Sequence, residues 1–91
     1  YTAVVNDQVI VDTSASPVTV TLPASPSVGA EVHFIDGGGA GGNFNSNNLT
    51  IGRNGSNILG SASNLVVNVN GAAFTLVYVS ATRGWAYKDK I

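Results

Sequence analysis

Apolar and polar residues alternate along most of this chain, in short runs broken by Gly, Pro, Asn and Ser. In 8–13, Val9 and Val11 share one face and Ile10 takes the other; 18–22 reads Val-Thr-Val-Thr-Leu, one face apolar and one hydroxylic. A period of two marks a half-buried strand, because successive side chains leave a strand on opposite sides. Further strands are predicted at 30–36, 49–51, 58–59, 65–69, 72–79 and 85–88, with turn residues between them. Pro23 ends the second strand, since proline cannot donate to a ladder. No window of eleven residues shows apolar spacing at i, i+3, i+4 and i+7 free of Gly, Pro or Asn, so no helix is predicted. The pattern is all-β and predicts a small antiparallel β-sandwich or barrel-like module. An Asn precedes an aliphatic residue at Asn48-Leu49, Asn57-Ile58 and Asn64-Leu65. That echo keeps a coiled β structure open, with Asn at the bends of successive rungs.

The stretch 64–87 is the most informative. It reads as a hairpin closed at Asn70-Gly71, a sharp turn, and a short strand carrying Trp85 and Tyr87. Its middle strand is apolar on both faces. Phe74, Leu76 and Tyr78 are predicted to face one layer, and Val77 and Val79 a layer of another chain. The 91 residues form one domain at most, spanning 1–91. A domain of this size buries roughly 60–65% of its unfolded surface, so it is marginal alone. There is no Cys, hence no disulfide or thiolate metal site to help. Association of copies through Phe74, Leu76, Val77, Tyr78 and Val79 is therefore expected. The absence of Met implies a processed product or a module of a longer protein.

Charge narrows the function classes. Only 10% of residues are charged, against roughly 25% in typical domains, and the net charge is −1. No basic footprint suggests a nucleic-acid partner, and no apolar run suggests membrane insertion. Polarity comes from Asn, Ser, Thr and Gly, as in many extracellular fibres, capsid parts and lectin-like modules.

Candidate chemistry is sparse. The tract Gly37-Gly38-Gly39-Ala40-Gly41-Gly42 lacks the following Lys and helix of a phosphate loop, so it is read as a flexible surface loop or a site of close backbone packing. His33 is the lone histidine, with Glu31 two residues away on its face; no partner set for a triad or a zinc site accompanies it. On a threefold axis, three copies of His33 could still converge on one ion. Asp7, Asp36 and Asp89 sit beside turn residues, where Asp caps the backbone. No catalytic residue, cofactor or metal is assigned. Asn48-Leu49-Thr50 and Asn54-Gly55-Ser56 match the N-glycosylation pattern, relevant only to a secreted eukaryotic protein. For binding, Arg83, Trp85 and Tyr87 are the best candidates, joined by Asn45 and Asn47 of the Asn-rich loops. For Trp85, packing against the sheet is favoured over stacking on a sugar.

The motifs Asp-Thr-Ser at 12–14, Val-Thr-Val-Thr-Leu-Pro at 18–23, Asn-Asn-Leu-Thr-Ile at 47–51, Arg-Asn-Gly-Ser-Asn-Ile at 53–58 and Leu-Val-Tyr-Val-Ser-Ala-Thr-Arg-Gly-Trp at 76–85 resemble a small β module of bacteriophage tail fibres and related virion proteins. Marine and cyanobacterial phages carry many such modules. The resemblance covers nearly the whole chain and is most specific at 53–58 and 76–85. It implies a parallel homotrimer within a virion, beside other virion proteins, with a structural or host-attachment role and no catalytic residues. A receptor- or glycan-binding fibre tip and a trimeric capsid decoration protein are the alternatives. The glycine tract reads as a loop insertion in this module.

Overall fold

A computed structural model describes residues 1–89 of the chain. The strands are β1 (Gln8–Val11), β2 (Val18–Thr21), β3 (Glu31–Asp36), β4 (Leu49–Gly52), β5 (Leu65–Val67), β6 (Ala73–Ser80) and β7 (Gly84–Asp89). They build two sheets, one ordered β1-β3-β6-β7 and one ordered β2-β4-β5. The alternation expected from sequence fixes which side of each strand is inward. Val32 and Phe34 of β3, Leu49 and Ile51 of β4, and Leu76 of β6 have no accessible surface. One core cluster joins both sheets, and Trp85, Phe44 and Leu22 are its largest fully buried contributors besides Phe34. Phe34 and Phe74 are cross-strand partners, and their rings stack with centroids 5.2 Å apart.

The molecule is all-β, but the antiparallel arrangement is corrected: both sheets are mixed. β1 pairs parallel with β3, and β2 parallel with β4; the other three pairings are antiparallel. Parallel neighbours need a crossover, and here β2 makes the one between β1 and β3, and β3 the one between β2 and β4. The chain steps from β1 to β2 to β3 to β4, changing sheet each time, and so winds two turns of a coil. Half-buried strands alternate in the same way whichever direction their neighbour runs. The sequence pattern therefore did not distinguish the two.

The Asn70-Gly71 hairpin is also corrected. A turn is present: Ala72 N–H donates to Val69 C=O at 3.3 Å, and Gly71 has φ of 74°. The strands on either side go to different sheets, β5 to β4 and β6 to β3. Asn-Gly supplies a reversal but does not choose the partner; the Phe34–Phe74 and Val32–Leu76 pairs draw β6 onto β3. Residues 58–59 form no strand; Ile58 makes isolated bridges to Ser61 and Trp85. The Asn echo does not mark rungs, since β4 and β5 run antiparallel. Asn54-Gly55 is a tight reversal as expected, with φ of 48° and 87°.

Loops gather at two ends. At one end Asn47 Nδ2 donates to Thr13 C=O, and Asn45 N–H to Asn70 Oδ1. At the other, Asn57 Nδ2 donates to Thr82 C=O and Asn54 Nδ2 to Leu22 C=O, each at 2.9 Å.

Candidate functional site

The outward face of the four-stranded sheet carries the side chains that the core does not use. Register places Gln8, His33 and Thr75 in one row, and Ile10, Ile35 and Ala73 in the next. Val77 and Ala86 continue the face on β6 and β7. Ile10 is 66% exposed and Val79 39%. Charge is confined to a few groups: Lys88 Nζ lies 3.0 Å from Glu31 Oε2, and His33 Nε2 lies 3.7 Å from Glu31 Oε1. His33 Nδ1 and Thr75 Oγ1 are 2.8 Å apart. A depression of about 230 Å³ opens here, lined by Gln8, His33, Ile35, Ala73, Thr75 and Asp89.

Hydroxyl, imidazole and carboxylate thus stand in the order of a nucleophilic triad, but the geometry does not make one. Thr75 is 5% exposed in the middle of an interior strand. Its neighbouring amides belong to the ladders with β3 and β7, which leaves no convergent donors for an oxyanion. The His33–Glu31 separation also exceeds hydrogen-bond length. Among the described residues, no three His, Asp or Glu side chains group as metal ligands.

The residues predicted to bind a receptor or glycan are not brought together. Trp85 is fully buried and meets Tyr78 edge-on at 5.7 Å, so its ring is closed to a sugar in this chain. Tyr87 is half-buried against Phe74, and burial raises its phenol pKa. Arg83 is exposed in the β6–β7 turn, with its N–H on Ser80 Oγ. Asn45 and Asn47 lie at the far end of β6, beside Asn70 and Thr13. The eight residues of β6 separate Arg83 from Asn45 and Asn47 by roughly 25 Å, while Tyr87 lies opposite Leu76, part-way between.

The predicted packing residues divide by parity. Phe74 and Leu76 are buried in the chain's own core and Tyr78 packs against it, so the first two are not free for another copy. Val77 is half-buried and Val79 exposed on the outward face.

Asp36 caps the backbone, as its place beside turn residues predicts, but it reaches beyond its own turn. Its carboxylate accepts the amides of Gly38 (3.1 Å), Asn43 (2.8 Å), Phe44 (3.1 Å) and Gly71 (3.1 Å). Burial opposes its charge, but these four bonds outweigh burial and hold its pKa below the ordinary Asp value. The glycine tract is therefore a structure wrapped around a half-buried carboxylate, and it delivers Phe44 to the core. Gly42, at φ of 91°, packs against Asp36 and Gly71 so closely that a Cβ would collide with both. An Asp immediately before a glycine tract was the available signal.

No family model matches this sequence, and no curated protein matches it as a relative.

Proposed function

We propose that this chain is a structural module of a bacteriophage virion, one of the β modules of a homotrimeric tail fibre that takes part in host adsorption. The observation that carries the reading is the outward face of the four-stranded sheet. It presents Ile35, Val77 and Val79 beside the Lys88–Glu31 pair. Apolar surface of this kind on a low-charge chain favours association. If each copy buries roughly 800 Å², three-quarters of it apolar, the gross gain is about 15 kcal/mol at about 25 cal/mol/Å². Association entropy removes about 4–15 kcal/mol of this. Copies that share the face stay folded together where one alone is marginal.

Light scattering tests the reading directly. A multiple of three chain masses is expected, and Val77→Lys combined with Val79→Lys should remove the factor of three while the chain stays folded. A well-folded wild-type monomer at high dilution would overturn it.

A receptor- or glycan-binding tip is the second reading, favoured by the depression at His33. There an amide, an imidazole, a hydroxyl and a carboxylate surround an apolar floor, a composition suited to a neutral sugar. The two readings compete for one face. Glycan binding by the wild type, abolished by Gln8→Ala at unchanged folding, would favour the second.

A further inference from the structure

Each sheet has two edges, and among the described residues three of the four are guarded. β2 is covered by residues 1–3, where Ala3 N–H donates to Thr21 C=O and Thr21 N–H to Tyr1 C=O. β5 is three residues long. β7 is paired at its start, with Trp85 N–H on Asn57 C=O; its far half carries Lys88 and Asp89 beside a register shift. Short strands, charges and bulges are the usual means of blocking edge pairing.

β1 is also short, and Asp12 follows it, but no bulge or covering segment lies along it among the described residues. Gln8-Val9-Ile10-Val11 contains no charge, no Pro and no bulge, and it pairs with β3 alone. His33 N–H donates to Asp7 C=O and Gly37 N–H to Val11 C=O, so the odd-numbered residues face β3. Alternation turns the N–H and C=O of Gln8, Ile10 and Asp12 to the open side. The Ile10 side chain, 66% exposed, stands beside that open ladder.

We propose that β1 is a self-complementary edge that pairs antiparallel with β1 of a second copy, about a twofold axis through Ile10. In an antiparallel ladder, hydrogen-bonded pairs join residues whose N–H and C=O both point at the partner. Here those are residues 8, 10 and 12. A twofold axis at Ile10 sets Ile10 against Ile10 and Gln8 against Asp12. The two exposed isoleucines cover each other, and each Gln8 amide lies beside an Asp12 carboxylate. An in-register parallel partner would instead set Asp12 beside Asp12. The antiparallel pairing joins two four-stranded sheets into one of eight strands. An extended strand from an unrelated protein has no reason to match this register, whereas a second copy matches it by symmetry.

The contact is independent of the proposed trimer, which uses the sheet face. With the twofold axes perpendicular to the threefold, both together close at six chains; the edge contact alone gives two.

Because the chain has no Cys, single introduced thiols report on neighbours. Paired Ile10 Cα atoms would lie about 5.5 Å apart, within the disulfide range of about 4.4–6.8 Å. The two copies of Gln8 would lie roughly 14 Å apart. Under mild oxidation, Ile10→Cys is expected to form a covalent dimer on the order of tenfold faster than Gln8→Cys. A mixture of Gln8→Cys with Asp12→Cys should cross-link between the two variants. All three positions are exposed, and circular dichroism checks their folding. Equal rates for Ile10→Cys and Gln8→Cys, or no cross-link in Ile10→Cys, would overturn the proposal. Ile10→Lys should also halve the wild-type mass, from six chains to three or from two to one. A dimer that becomes a monomer upholds the edge contact while removing the trimer. A trimer unchanged by Ile10→Lys does the reverse.

Discussion

Asp36 organises one end of the molecule with a single carboxylate. Four backbone amides converge on it from residues 38–44 and from Gly71. Removing the acceptor strands those donors, so Asp36→Ala should lower stability by roughly 2–4 kcal/mol in urea titration. The pKa shift gives a pH dependence with a definite sign. A folded-state pKa below the unfolded value, about 3.9, means stability that is present above that pH and lost as pH falls through the folded value. Asp7, held down by the Tyr1 hydroxyl and the Val4 amide, and Asp12, held down by the Ser14 hydroxyl and amide, act in the same direction. The urea midpoint should therefore fall below about pH 4, and Asp36→Asn should flatten that fall. A wild-type midpoint constant from pH 5 to pH 2.5 would contradict this. Gly84 is the other constrained position. It has φ of 73°, and a Cβ there would run into the Asn57 carbonyl that accepts the Trp85 amide. Gly84→Ala should cost roughly 2–4 kcal/mol, from the left-handed backbone and the forced shift together.

At the scale of the element, β6 shows how one strand serves two purposes. Its inward residues Phe74 and Leu76 fill the core, while Val77 and Val79 face outward. Leu76→Ala should destabilise by about 2–5 kcal/mol, as a cavity in a closed core does. Val77→Ala should leave the stability of a dilute single chain within about 1 kcal/mol and act on association instead. Equal effects of the two substitutions on thermal unfolding at high dilution would remove the distinction between the faces. The same parity was legible in the sequence for β2, β3 and β4, because Val-Thr-Val-Thr, Val32/Phe34 and Leu49/Ile51 alternate without interruption. It failed to give pairing partners. The Asn-Gly turn at 70–71 looks alike whether it closes a hairpin or sends the chain from one sheet to the other.

For the whole molecule, the coil of β1 to β4 followed by the antiparallel β5, β6 and β7 leaves the outward face of the larger sheet and the β1 edge uncovered by the described residues. If copies share that face, stability depends on concentration. The thermal midpoint should rise with protein concentration over a hundredfold range, as mass action requires when only the folded chain associates. A midpoint independent of concentration, together with a single-chain mass, would remove the assembly reading. The candidate binding residues were less legible than the fold. Arg83, Trp85 and Tyr87 are close in sequence, yet β-strand alternation and the depth of the core put Trp85 out of reach. Asn45 and Asn47 lie at the opposite end.

The sequence by itself determined the all-β class, the inward parity of the main strands and the scarcity of catalytic groups, because these depend on period, composition and residue type alone. Tertiary structure decided the rest. The direction of neighbouring strands, the burial of Trp85 and the wrapping of the glycine tract around Asp36 all depend on contacts between residues far apart in the chain. A local pattern carries no record of which distant partner supplies the hydrogen bonds.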